Sequence, residues 1–364
     1  MKRINQVEPW LGDEEKQELV SVIESGWFTE AQKTREFERV FAEYVGSRHA
    51  VAMNNGTVSL TVACLALDIG PGDEVIIPDF TMIASPNAVR LAGAAPVMVD
   101  ISRTTLCINL AAVEAAITPR TKAIMPVLLN GRYPDMEVLK ALARKHKLYI
   151  IEDAAQALGS RCRGKHLGTF GEIGSFSFST PKIITTGQGG MLVTDDAALY
   201  EKMMKIKDFG RRQKGEDIHI MMGYNFKFTE FQAAVGLAQM KKLDWRVQRK
   251  KDMFRLYKGL LEGIPQATFV ETDLDDTSPW FIDFLLEGVD REALAEHLQK
   301  RGIGTRPFYP PIHTQAPYAG IKGAFPICDD VCGRGVWLPS SSFLSDDDIE
   351  LVCGEIKSFL ARGG

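Results

Sequence analysis

The chain has 364 residues, 45% hydrophobic and 25% charged, with a formal net charge of -4. That length suits about two domains with sizeable cores, and the slightly acidic balance lacks the basic footprint of nucleic-acid binding. No apolar run is long enough to span a membrane, and the first ten residues, MKRINQVEPW, lack the apolar segment of a secretion signal. The six cysteines are scattered; Cys328 and Cys332 are the closest pair and have no histidine cluster beside them. A cytoplasmic protein with reduced thiols and no metal centre is therefore expected.

Residues 13–26, DEEKQELVSVIESG, have helical periodicity, with acids in the first turn and Gly26 past the end. Residues 33–45 are a second predicted helix, with Phe37, Val40, Phe41 and Tyr44 on one face, and 49–53 a short strand. In NNGTVSLTVACLAL (54–67) the pattern turns from loop to helix at Gly56 and Thr57. Free N–H groups and the positive end of a helix dipole meet there, which suits a phosphate. A simple N-cap by Asn55 or Thr57 is the alternative. The stretch is not G-x-G-x-x-G, which argues against a nicotinamide dinucleotide.

Strand and helix continue to alternate. Strands are predicted at 74–78, 96–100, 122–127 and 148–151, helices at 83–92 and 134–146, with a short helix capped by Asn109 between them. Unbroken apolar strands separated by helices indicate a mainly parallel sheet covered on both faces, which binds ligands at the carboxyl ends of its strands. Asp153 sits at such an end, with Gln156 three residues on. A carboxylate there could hold a cationic ring nitrogen, or could simply cap the following turn.

The stretch SFSFSTPKIITTGQGG (175–190) places one lysine, Lys182, on a tight connection between two strand-like runs. A desolvated lysine loses its charge more easily, and a neutral amine can form an imine with an aldehyde. Pro181 stiffens the approach, and Gly187, Gly189 and Gly190 are expected to leave room for something flat to reach the backbone. An exposed loop lysine is the alternative.

Farther on, 199–209 is helical, and Lys205, Lys207, Arg211, Arg212 and Lys214 are expected to be a solvated basic face. Thr229 to Gln232 has capping-box spacing and opens a helix predicted to run through Trp245. From about residue 250 the character changes: a strand at 281–286, a helix at 290–301, an aromatic, proline-rich connection at 304–311, and a last helix from Ser345. The expected division is a large α/β domain over 1–249 and a smaller α+β domain over 250–364.

Several of these stretches occur together, in fixed order, in one family. GWFTEAQKTREFERVFAEYVG, NNGTVSL, GDEVIIPDFT, IIEDAAQALGS, GTFGEIGSFSFSTPKIITTGQGGMLVTDD, GYNFKFTEFQAAVGLAQ and RPFYPPIHTQAPY resemble the DegT/DnrJ/EryC1/StrS sugar aminotransferases, which are fold-type-I pyridoxal-phosphate (PLP) enzymes. The resemblance covers nearly the whole chain. It implies that Lys182 bonds the PLP aldehyde and later moves protons, that Asp153 pairs with the pyridinium nitrogen, and that Gln156 packs near the ring. Gly56, Thr57 and Ser177 would contact the phosphate. Asn225 would reach the phosphate of a neighbouring subunit, which implies a homodimer, and Arg306 and His313 would line the sugar side.

The resemblance further implies amino transfer from L-glutamate to a nucleotide-linked keto sugar, with a lean toward perosamine-type members acting on a 4-keto-6-deoxyhexose. A 3-keto sugar, a cyclitol ketone, or a non-catalytic regulator of the same fold are the alternatives. Lys182 favours amino transfer over deoxygenation, because the dehydratase branch carries histidine there. Three departures bear on the substrate: Met82 where an aromatic ring often stacks on PLP, Gln188 in place of glutamate, and Leu129 to Arg132 in place of an HLYG-like segment.

Overall fold

A computed structural model describes residues 2–213 and 215–362. Strands β1 (His49–Met53), β2 (Glu74–Pro78), β3 (Ala95–Val99), β4 (Thr121–Ile124) and β5 (Tyr149–Asp153) are followed by a small ribbon of β6 (Arg161–Cys162) and β7 (Lys165–His166). After the ribbon come β8 (Ile173–Ser177) and β9 (Gly190–Thr194). Seven of these form one sheet in the order β1-β9-β8-β5-β4-β2-β3. The contacts from β3 through β8 are parallel, while β9 is antiparallel to both neighbours, so a single strand is reversed.

The sheet is largely buried on both faces, which is why the middles of its strands are mostly apolar. In β2, Val75 and Ile77 join the core that contains Phe37, Phe41 and Leu60, while Ile76 joins a second core with Val99, Ile124 and Leu139. The period-2 geometry of a strand sends these neighbours to opposite sides. On β8 the same alternation turns Phe176 toward Phe41, with ring centres 5.0 Å apart. Phe178 follows it toward Phe37 at 5.2 Å. The serines of SFSF take the other side, which leaves Ser177 free to face a ligand.

A four-stranded antiparallel sheet, β10 (Ala267–Thr268), β11 (Ile282–Leu286), β13 (Gly335–Leu338) and β12 (Arg306–Pro307), follows in that spatial order. It packs with the helices Arg291–Lys300 and Asp346–Leu360 around a separate core that includes Phe254, Phe284 and Ile356. The helix Leu243–Leu261 runs without interruption through residues 249 and 250. The segment after β12 returns to the large sheet: Ile312, Tyr318, Phe325 and Val331 share the core of Phe37 and Leu60. Asp79 accepts the backbone and ring N–H groups of His313 at 2.9 and 2.6 Å, and the Asp100 carboxylate accepts the N–H groups of Ile327 and Cys328.

Three sequence expectations change. The helix opened by the Thr229 capping box ends at Met240, and a new one starts at Leu243, where Lys242 turns back to pair with Glu14 and Glu15. Lys207 is not solvated. It is fully buried, 3.0 Å from Glu30, 3.3 Å from Glu38 and 3.1 Å from the Ala52 carbonyl. Lys214, expected on the same basic face, lies outside the described residues. Gly189 and Gly190 are filled around by protein: a Cβ on Gly190 would sit 2.2 Å from Ser59 Oγ, and one on Gly189 2.4 Å from Thr186 Oγ1. These two glycines let strand β9 approach its own neighbours.

Candidate active site

The carboxyl ends of β2, β5 and β8 open on one side into a cavity of about 340 Å³, as the rule for open α/β sheets requires. Gly56, Thr57, Met82, Asp153, Gln156, Ser177 and Lys182 all line it, and so does Gln188. Arg306, His313 and Asn225 do not.

Lys182 sits in the β8–β9 connection, which is tied down from several directions. Its own N–H closes a turn onto the Ser179 carbonyl at 3.0 Å, and Phe178 donates to the Gly189 carbonyl at 2.8 Å. The buried Arg246 donates to the Ile183 carbonyl, to Gln239 and to the Trp10 carbonyl, each at 2.8 Å. Trp280 donates its indole N–H to the Pro181 carbonyl at 2.7 Å. The lysine ammonium thus emerges from a rigid loop, and it has no hydrogen-bond acceptor among the described residues. It lies 3.6 Å from the centre of the Trp280 ring. Burial pulls it down to about 7, with Asp153 pulling the other way and Arg306 adding to the fall.

Asp153 ends β5 as a buried carboxylate. Ser85 Oγ donates to its Oδ2 at 2.7 Å and the Ala155 N–H to its Oδ1 at 3.2 Å, and Thr81 and Ser85 hydroxyls lie 2.8 Å apart behind. Burial raises its pKa above the ordinary aspartate value, opposed by Ser85, by Ala155 and by the charge of Lys182. No cation lies within ion-pair distance of it among the described residues. Gln156 uses its side-chain carbonyl to accept the Asn130 N–H at 3.0 Å. Asn130 adopts φ +50°, and it donates to Asp283, which Arg132 and the Trp337 indole also approach. The departure at Leu129 to Arg132 therefore forms a buried polar bridge from under the cavity to β11.

At the opposite wall the helix Gly56–Ala66 starts beside Ser177. Asn55 caps it by accepting the Val58 N–H at 2.9 Å, and the Gly56 and Thr57 N–H groups find no acceptor among the described residues. A Cβ on Gly56 would stand 3.1 Å from Ser177 Cβ, so glycine keeps this corner open. Met82, 46% exposed, forms an uncovered rim.

Asn225 is exposed and pairs through its backbone with Asp208. Arg306 is exposed, with its guanidinium 5.3 Å from the Tyr309 ring and 5.7 Å from that of Trp337. His313 stacks on Phe325 at 4.6 Å while bonded to Asp79. Ser85, Trp280 and Arg246 were not foreseen. Ser85 had a positional signal, since it follows the end of β2; Trp280 and Arg246 carried none.

Three groups at this cavity lack what they need: a buried carboxylate without a cation, an amine without an acceptor, and a helix start without an anion. The pyridinium, aldehyde and phosphate of PLP answer these three in turn, so the residues present fit that cofactor. Such a site on a mostly parallel seven-stranded sheet defines a PLP-dependent enzyme of fold type I.

Residues 9–357 match the model of the DegT/DnrJ/EryC1/StrS aminotransferase family, and the chain belongs to that family. It is 38% identical over 361 residues to the GDP-perosamine synthase of Escherichia coli O157:H7, covering 99% of each chain. It is similar to the solved structure of S. venezuelae DesV, with TM-score 0.91, 34% identity and 99% of each chain covered. It also matches the PLP form of a putative sugar aminotransferase, Spr1654, from Streptococcus pneumoniae, with TM-score 0.94, 27% identity and 99% of each chain covered. The protein is a PLP-dependent aminotransferase.

Proposed function

We propose that the enzyme moves an amino group from L-glutamate to a nucleotide-linked keto sugar, with a 4-keto-6-deoxyhexose of the perosamine type as acceptor. The observation that carries this reading is the placement of Lys182 and Asp153 in one cavity, joined to the near-full-length likeness to a GDP-perosamine synthase. The bound cofactor supplies an electron sink for carbanion chemistry. Asp153 holds a proton on the ring nitrogen, and Ser85 and the Ala155 N–H fix that carboxylate in place. Gly56, Thr57 and Ser177 hold the phosphate. Lys182 Nζ takes the proton from the α-carbon of the amino donor and returns one on the acceptor side. A pKa near 7 suits both directions, because the amine is then poised between its two forms at neutral pH.

In this reading residues 1–249 carry the cofactor and 250–364 form the smaller lobe, with Arg306 and His313 toward the sugar. The active unit is a homodimer in which Asn225 reaches the partner's phosphate. Its exposure in the single chain supports that role. Among the described residues no helix is long and apolar enough to cross a membrane. We place the enzyme in the cytoplasm, where six unpaired cysteines stay reduced. The test is mass spectrometry of products from nucleotide-linked 4-keto and 3-keto sugars incubated with enzyme and glutamate. Amination of the 3-keto panel alone, or of neither, overturns the substrate reading.

A further inference from the structure

The nitrogen of Lys182 rests on a surface that offers no lone pair. Trp280 is 1% exposed, and its ring centre is 3.6 Å from Lys182 Nζ, well inside the range of a cation–π contact. Trp280 is held at three points, two on its indole and one on its backbone. Its N–H donates to the Pro181 carbonyl at 2.7 Å, so the same side chain grips the backbone just before the lysine. Its face stacks on Phe281, with centres 3.8 Å apart. Its carbonyl accepts the buried Lys250 ammonium at 2.9 Å, and Lys250 also donates to the Ser340 carbonyl. The two lobes are thus pinned together at Trp280.

We propose that Trp280 is a positioning residue for the Lys182 amine: its indole face is the seat that nitrogen occupies whenever it is not bonded to the cofactor. A carboxylate in that place would hold an N–H and favour the ammonium form. An indole face attracts the cation without consuming a hydrogen, so the amine stays aimed while its proton remains free to move. The other charged or titratable groups facing this nitrogen are Asp153, which favours the cation, and Arg306, which opposes it. Tyr309 feels the charge of both of these, while Arg246 and Lys250 reach the neighbouring backbone at Ile183 and Trp280. The seat concerns this chain's lysine alone and holds whichever amino donor or sugar is used.

The test uses the full chain loaded with pyridoxamine phosphate, in which Lys182 carries no bond to the cofactor. Cells supplied with tryptophan, monofluoro-, difluoro- or tetrafluorotryptophan yield proteins of one shape and graded ring charge. Competitive acetylation across a pH series, read by peptide mass spectrometry, gives the midpoint of Lys182. Fluorination should lower that midpoint stepwise, by roughly one pH unit over the series. The same series in Trp280→Phe should be flat. A midpoint independent of fluorine content overturns the proposal, and so does an equal slope in Trp280→Phe, which would assign the effect to another tryptophan.

Discussion

Ser85 Oγ donates a 2.7 Å hydrogen bond to Oδ2 of Asp153, joining the start of the helix after β2 to the end of β5. The carboxylate proposed to pair with the cofactor ring is thereby aimed by a neighbouring strand's helix. Ser85→Ala removes one of two donors from a buried charged group, an interaction of about 1.5–3 kcal/mol. Cofactor affinity, measured by equilibrium titration, should weaken by roughly tenfold or more. Asp153→Asn should be more severe, because a neutral amide cannot hold the ring proton.

Lys182→Ala should abolish the half-reaction with glutamate. Loss of a positioned proton carrier removes a factor of about 10²–10⁴, and loss of the covalent link adds to it. Stopped-flow absorbance after glutamate addition measures this directly. Turnover within tenfold of the native enzyme would refute the assignment.

Stability of the cofactor-free protein should rise with pH between about 7 and 8.5. Burial lowers Lys182 and Lys250 to about 7 and Lys207 to about 8. The unfolded lysines titrate near 10.4, so in this window the unfolded chain binds more protons, and raising the pH favours the fold. The limit is about 1.4 kcal/mol per pH unit for each lysine. Above about 9 the rise should lessen, since burial raises the thiols of Cys64 and Cys353 to about 12, and it should reverse only above about 10, where the unfolded lysines lose their protons too. Urea midpoints across this range check the sign, and Lys250→Met should flatten the rise.

Arg246→Ala should destabilise the protein by about 3 kcal/mol, because it removes three buried charge-assisted hydrogen bonds; the Trp10 carbonyl keeps Gln239 and the Gln239 side chain keeps the Thr185 N–H, but the Ile183 carbonyl keeps no donor among the described residues. Urea denaturation reads the loss. Cofactor affinity should fall with it, since Ile183 follows Lys182 directly.

If Asn225 serves the neighbouring subunit, mixing two inactive variants should restore activity. Lys182→Ala and Asn225→Ala chains, combined by co-expression, leave one intact site in each hybrid dimer. Recovery well above the level of either parent is the expected outcome. No recovery, with hybrid dimers verified by mass, refutes the shared site.

Much of the frame was legible from local chemistry. Apolar runs such as residues 148–151 announce strands covered on both faces, and Gly56 and Asn55 mark the helix start that now faces Ser177. Lys182 and Asp153 could be singled out because a lone lysine between two strands and a carboxylate at a strand end are both features of short stretches. What periodicity could not carry was the destination of side chains that meet across the fold. Lys207 sits in a basic run that reads as a wet surface, yet Glu30 and Glu38 from a distant helix region draw it into the core. His313 is bonded to Asp79, a partner 234 positions away that no local pattern points to. Trp280 lies 98 positions from Lys182 in the chain and 3.6 Å from it in space.

Taken alone, the order of residues determined the alternating strands and helices, the lysine-bearing connection between two strands and the chemical identity of the amine and carboxylate. These follow from short-range rules of backbone geometry and from the side chains themselves. Only the tertiary structure decided what surrounds that amine: an indole face instead of an acceptor, a carboxylate steadied by Ser85, and a loop fastened by Arg246. Proton affinity depends on the dielectric and charges within a few ångströms, and those neighbours come from segments that only folding brings together.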